Sequence, residues 1–364
     1  MNDWPYPTLL ADVGGTSLRF AVATGAGARP VAIRKLRTAD YPNLAAAAQD
    51  YLARLQGDAD DDARAASAVA PASAALAVAT PVEAARAGPV RLTNQDFVID
   101  GARLLSSLGL CALWIVNDFE ALAWSLPTLG AQDLRVIGKV VPAGNATMAV
   151  IGPGTGMGCA GLLRNAAGWH AIPGEGGHVT LSARTPFERD VLAAAAGMTD
   201  HVSAEKLLSG SGMPLLYQAV AAVVGATEAS RPVPKASDIT RAALDGTDRL
   251  SLQVVDTFCA LLGGYAGNVA LSFGAVGGVM IGGGVASHLA EPIAKGEFRE
   301  RFEDKGRFAA YLRPIGTALI TREQPALDGL VHALSIAPGA LPVQRSAVAD
   351  DGRRPPPAGI TPAD

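Results

Sequence analysis

Short apolar segments alternating with helical stretches predict a soluble α/β protein built in two parts. Three observations carry that prediction. The 364 residues suffice for about two domains whose cores need no disulfide or metal staple. Glycine supplies 41 residues of a chain that is 49% hydrophobic, and many of these glycines fall where an apolar run ends. A strand–glycine–strand unit near the start recurs after residue 147, which points to a duplicated architecture.

Composition also excludes classes of function. With 30 basic against 34 acidic residues the formal charge is -4, which gives no electrostatic footprint for nucleic acid or an anionic membrane surface. At 5% aromatic content the chain offers no stacking platform for single strands. Cys111, Cys159 and Cys259 are far apart and have no metal-ligand spacing, so a reducing cytosol is the expected compartment. The start of the chain has neither a basic region nor an apolar segment of signal-peptide length, and no uninterrupted apolar run of spanning length occurs.

In chain order, Thr8–Val13 reads as a strand, Gly14-Gly15-Thr16 as a tight turn and Leu18–Ala23 as a second strand. Leu44–Leu55 has helical spacing, with Asn43 as its N-cap. Ala74–Thr80 reads as a buried strand, Ile99–Leu108 as a helix, Ala112–Val116 as a strand running into Asn117-Asp118, and Phe119–Ser125 as a helix. Thr147–Gly152 opens into Pro153-Gly154-Thr155-Gly156, and Cys159–Leu163 is its partner strand. Helices are expected over Phe187–Ala195, Ala204–Leu208, Pro214–Val224 and Leu250–Leu271, and Val279–Ile281 is a short strand entering Gly282-Gly283-Gly284. Residues 338–364 are proline-rich and aperiodic and are expected to be a disordered tail.

Successive backbone N–H groups in a glycine turn form a concave nest for phosphate oxygens. Gly14, Gly15 and Thr16 suit that use, and Asp12 beside them suits a magnesium ion carried by a polyphosphate and reached through water. Gly154, Thr155 and Gly156 make a second nest. Gly282 and Gly283 make a third turn, able to admit a flat nucleotide base. No Gly-Lys-Ser/Thr closes any of these runs, and the second does not open a helix, so neither a P-loop nor a dinucleotide fingerprint is present. Asp118 follows an apolar strand, where α/β active sites gather, and is a candidate base; Asn117 beside it could bond a substrate. Glu175 and His178, three apart in a glycine-rich loop, offer an acceptor and a donor to a polyhydroxylated ligand. Plainer roles remain open for each: a structural acid in a hairpin for Asp12, a helix cap for Asn117-Asp118, a salt-bridged surface loop for Glu175 and His178, a helix-dipole partner for Glu205.

Taken in order, the motifs resemble those of bacterial glucokinases. The resemblance rests on Asp12-Val-Gly-Gly-Thr16 with Arg19, Leu92-Thr-Asn94, Val116-Asn-Asp118-Phe-Glu-Ala121, Gly152-Pro-Gly-Thr-Gly156 and Pro173-Gly-Glu-Gly-Gly-His178. It continues through His201-Val-Ser-Ala-Glu205, Leu208-Ser-Gly210, Gly282-Gly-Gly284 and Phe302-Glu-Asp-Lys-Gly-Arg-Phe308, and spans roughly Thr8 to Leu334. It implies a two-domain actin-like, ribonuclease-H-like ATPase fold with an interdomain cleft. The small domain would be 1–117 plus 322–337 and the large one 118–321. It further implies a homodimer that phosphorylates D-glucose at its 6-hydroxyl with ATP and Mg2+. Asp118 would be the catalytic base. Asn94, Asn117, Asp118, Glu175, His178 and Glu205 would hold glucose, and the loops at Gly14–Thr16 and Gly154–Gly156 would clamp the phosphates. A kinase for another hexose, another phosphoryl donor, or a non-catalytic sugar sensor on the same fold are the competing readings. The chain departs from the family pattern at Ser17, Thr180 and Ser211, and in the segment Pro325-Ala-Leu-Asp328-Gly-Leu.

Overall fold

The computed structural model describes residues 4–58, 60–79, 88–91, 97–226, 232–336 and 343–345. The chain forms two compact units, Met1–Asp118 with Leu330–Asp364, and Phe119–Gly329. Both dividing points fall inside helices, Asp118–Ser125 and Pro325–Ile336.

The strands of the first unit are β1 (Thr8–Val13), β2 (Ser17–Ala23), β3 (Val31–Arg37), β4 (Ser73–Val78), the short β5 (Val90–Arg91) and β6 (Val98–Ile99), and β7 (Ala112–Asn117). Those of the second are β8 (Leu134–Ile137), β9 (Met148–Pro153), β10 (Met157–Asn165), β11 (Gly168–Gly174), β12 (Gly278–Ile281) and β13 (Thr317–Ile320). The last strand, β14 (Val343–Arg345), lies in the segment expected to be a disordered tail, and there it pairs antiparallel with β7.

The first sheet has the order β14-β7-β4-β1-β2-β3 and the second β11-β10-β9-β12-β13-β8. Each holds an antiparallel meander of three strands, then two strands parallel to the first of them, then one antiparallel edge strand. The duplication read from the glycine turns is therefore a duplication of sheet topology. The edge strand is the last of the chain in one unit and the first in the other.

Local chemistry explains the elements. Asn43 accepts a 2.9 Å bond from the Ala46 N–H and starts the Leu44–Gln56 helix, which buries Leu44, Ala48, Tyr51 and Leu55. Tyr51 stacks on Phe20 of β2 at 5.2 Å, and its hydroxyl donates to the Ala32 carbonyl. The helix expected from Ile99 begins at Gly101, because Val98–Ile99 pairs with Val90–Arg91 and Asp100 is the cap that accepts from Arg103 N. The 25-residue helix Arg249–Phe273 is apolar and long enough to cross a membrane by composition alone. It buries Val254, Phe258, Leu262, Tyr265 and Ala266 in the core of the second unit. The Phe302–Phe308 motif serves the same core. Phe302 is fully buried, Lys305 donates to the Gly264 carbonyl at 2.8 Å, and neighbouring Arg301 forms a buried ion pair with Glu188.

Candidate active site

In the first unit β1, β4 and β7 run parallel, with Val13, Val78 and Asn117 in register across the three strands. Asp12, the Gly14–Thr16 turn and Asn117-Asp118 thus gather at one carboxyl edge. Two strand spacings of about 4.8 Å put β1 and β7 about 10 Å apart, room for a transferring phosphoryl group and a hydroxyl. Asp118 begins its helix and Asn117 ends β7.

Asp12 faces Arg19 across the β1–β2 pair, with Nη1 donating to Oδ2 at 3.0 Å. Burial pushes the Asp12 carboxyl above the ordinary aspartate range, and the charge and hydrogen bond of Arg19 offset part of that. Its Oδ1 has no hydrogen-bond partner among the described residues. No group of three His, Cys, Asp or Glu side chains among the described residues could cage a metal ion. One acid with one open oxygen beside an anion nest fits a hydrated magnesium ion carried by phosphates, not a dedicated metal centre.

The Gly14–Thr16 turn is held from behind by Thr38. Its Oγ1 donates to the Gly14 carbonyl at 2.9 Å and its N–H to the Thr16 carbonyl at 3.3 Å. A trans peptide is planar, so tying the Gly14 carbonyl to Thr38 turns the Gly15 N–H the opposite way. A Cβ on Gly15 would meet nothing within 4 Å.

The second hairpin is held by the same device from a different segment. Gly210 N donates to the Gly154 carbonyl at 2.8 Å. Ser211 donates to the Thr155 carbonyl twice, from N at 3.4 Å and from Oγ at 2.9 Å. The N–H groups of Thr155 and Gly156 are thereby turned away from the Gly210–Ser211 segment, without partners among the described residues. A Cβ on Gly154 would enter open space. Gly282 N bonds the Ile151 carbonyl at 2.8 Å, so the Gly282–Gly283 turn leaves β12 beside the same hairpin. Gly283 has φ +89°, a conformation that side chains resist, and its Cα side rests on the Pro153 carbonyl.

The polar groups expected to meet the sugar divide between the units. Glu175 and His178 belong to the second unit, in the turn after β11, with His178 Nε2 3.8 Å from Glu175 Oε2. Their side chains are 60% and 73% exposed for His178 and Glu175 respectively, so they are presented to solvent and not consumed by the core. Glu205 Oε2 accepts the Met157 N–H at 2.9 Å, and its other oxygen has no partner among the described residues. Thr180, where an aspartate is common in the family, pairs its Oγ1 with His201 Nε2 at 2.9 Å. Asn94 lies outside the described residues. Thr38 was not among the sequence candidates, and a buried threonine 24 residues from its partner carries no local signal. A cavity of ≈ 250 Å³ opens elsewhere in the second unit, among Ala243, Leu252, Val255, Pro292 and Gly296, and contains none of these groups.

Comparison with known proteins identifies the family and the fold. The glucokinase family model matches residues 9–336. A glucokinase of Aromatoleum aromaticum is 41% identical over 332 residues, covering 91% of this chain and 96% of that one. The crystal structure of a glucokinase from an Antarctic psychrotroph superposes with a TM-score of 0.77 at 33% identity, covering 90% of this chain and 98% of its own. A ROK-family glucokinase of Streptomyces griseus, solved in complex with glucose and AMPPNP, shares the fold at 18% identity, with a TM-score of 0.54 over 92% of this chain and 100% of its own. The fold is that of the actin-like ATPases.

Proposed function

The chain belongs to the glucokinase family, and from that premise we propose that Asp118 is the base that lets the 6-hydroxyl of D-glucose attack the γ-phosphorus of ATP. The products are glucose 6-phosphate and ADP. The observation that carries this reading is the shared carboxyl edge of β1, β4 and β7. It groups an acid at the start of a helix with a glycine turn whose amides are aimed by Thr38.

Asp118 accepts the hydroxyl proton as the new O–P bond forms, and Asn117 bonds a neighbouring sugar hydroxyl. Glu175 and His178 offer an acceptor and a ring nitrogen to further hydroxyls, Glu205 offers its open oxygen, and Asn94 is the remaining sugar ligand. The amides of Gly15, Thr155 and Gly156 bind phosphate oxygens as charge builds on them, and being held beforehand they need no reorganisation. Gly282 and Gly283 border the base. Asp12 would hold a magnesium ion, which when bound would neutralise part of the phosphate charge. Family membership also supports a homodimer working in the cytoplasm, with ATP and D-glucose as its partners.

The test is ADP release in a coupled assay with D-glucose, D-mannose, D-fructose and N-acetylglucosamine, each with and without magnesium. D-glucose with magnesium is expected to give the highest kcat/KM. Preference for another hexose would move the substrate within the same chemistry. Binding of glucose with no ADP release would overturn the reading.

A further inference from the structure

The main chain of Met157 is a meeting point in the second unit. Its N–H is held by Glu205, a proposed sugar ligand. Its carbonyl oxygen lies directly against Gly177, which sits between two further proposed sugar ligands in the chain, Glu175 and His178; a Cβ at Gly177 would overlap that oxygen. The residue before Met157 is Gly156, where a Cβ would overlap the Glu205 carboxylate. Met157 therefore touches the sugar-side groups on two sides and continues into the phosphate turn on the third. Glu205 also begins the segment that ends at Ser211, whose N–H and hydroxyl both fasten the Thr155 carbonyl. Ser209 reinforces that segment, donating to the Glu205 carbonyl at 2.7 Å and accepting from Gly212 N at 3.0 Å.

We propose that the Glu205–Ser211 segment couples the two substrates, so that a sugar hydroxyl on Glu205 orders the Gly154–Gly156 turn for the nucleotide, with Ser211 as the positioning residue that transmits the order to Thr155. The inference rests on the glucokinase reading above. A sugar hydroxyl donating to the open oxygen of Glu205 restrains the carboxylate. The restrained carboxylate fixes the Met157 N–H, and with it the carboxyl-terminal end of the turn. Ser211 fixes the turn's middle. Linkage requires the effect to be reciprocal: nucleotide seated on the turn holds Glu205 in place for sugar by the same factor. A proline at position 211, the residue common in the family, could supply neither of the two bonds to Thr155.

The experiment is calorimetric titration of the full chain with magnesium AMPPNP, with and without saturating D-glucose, in the wild type, Ser211→Ala and Ser211→Thr. The ratio of the two AMPPNP dissociation constants is the coupling, expected at about fivefold or more in the wild type. Ser211→Ala, at an exposed position, is expected to leave D-glucose binding without nucleotide unchanged. It should weaken AMPPNP about threefold to tenfold in the presence of glucose, bringing the ratio towards one, and Ser211→Thr should restore it. A wild type that phosphorylates glucose with a ratio of one overturns the proposal alone, as does a Ser211→Ala variant that keeps the wild-type ratio. A parallel fall in sugar and nucleotide binding in Ser211→Ala overturns it too, because the residue would then only support the fold. A wild type that binds neither ligand overturns the glucokinase reading itself.

Discussion

The hairpin after β1 and the hairpin after β9 are both fastened through their carbonyls, the first by Thr38 and the second by Gly210 and Ser211. They occupy equivalent places in two sheets of equal topology, yet they carry different chemistry. The first stands among side-chain charges, with Asp12 and Arg19 on its strands and Asp118 two strands away. The second is nearly all main chain, and its one fastening carboxylate, Glu205, arrives from outside the hairpin. One topology thus carries a turn set among charged side chains in one unit and a turn set almost wholly among main-chain groups in the other.

Substitutions that separate the two kinds of chemistry test this contrast, and the largest effect belongs to the first unit. Asp118→Asn is expected to lower kcat by about 10²–10⁴-fold, the usual range for a lost general base, while calorimetry still detects D-glucose. A variant with near-normal kcat would remove proton handling from the first edge and collapse the contrast. Next comes Gly177→Ala in the second unit, where the new methyl has to displace the Met157 carbonyl. Urea unfolding should show a loss of about 1–3 kcal/mol, the ordinary cost of overpacking, with sugar affinity falling as well. Gly15→Ala makes the opposite kind of change. With open space at its Cβ, stability should stay within about 0.5 kcal/mol of wild type while the KM for ATP rises about tenfold.

The smallest effect concerns Asp12, and its sign follows from burial. A carboxyl raised by desolvation in the folded state prefers its neutral form there. Its contribution to stability is therefore full below the unfolded pKa of 3.8 and is lost as pH rises through the raised folded value. The difference in urea midpoint between wild type and Asp12→Asn should favour the wild type more at pH 3.5 than at pH 7. A difference that does not change with pH would show that Arg19 fully offsets the burial.

How much of this could be read from the sequence depended on distance along the chain. The Asn43 cap was legible because cap and amide are three residues apart. The paired glycine turns were legible because a strand, a turn and a strand form one continuous pattern. By contrast, β3 lies at a sheet edge with Arg34, Lys35 and Arg37 breaking its apolar pattern, and β13 has only four residues, too few to show a period. In the candidate site, residue types were legible and fastenings were not. Glu205 reaches Met157 across 48 residues and Ser211 reaches Thr155 across 56, contacts that exist only once the second unit has folded. Glu205 was read from resemblance as a sugar ligand, and its bond to the phosphate hairpin could not have been found that way.

The pairing of β14 with β7 matters for handling the protein. Val343, Gln344 and Arg345 lie opposite Trp114, Leu113 and Ala112, on the otherwise open side of a strand that reads Ala-Leu-Trp-Ile-Val before Asn117. A chain shortened before residue 343 would bare the amides and carbonyls of that apolar strand, a ready template for joining a second molecule edge to edge. The last described residues thus cover the edge of the strand that leads to Asp118. Trimming the carboxyl terminus to aid crystallisation would expose that edge.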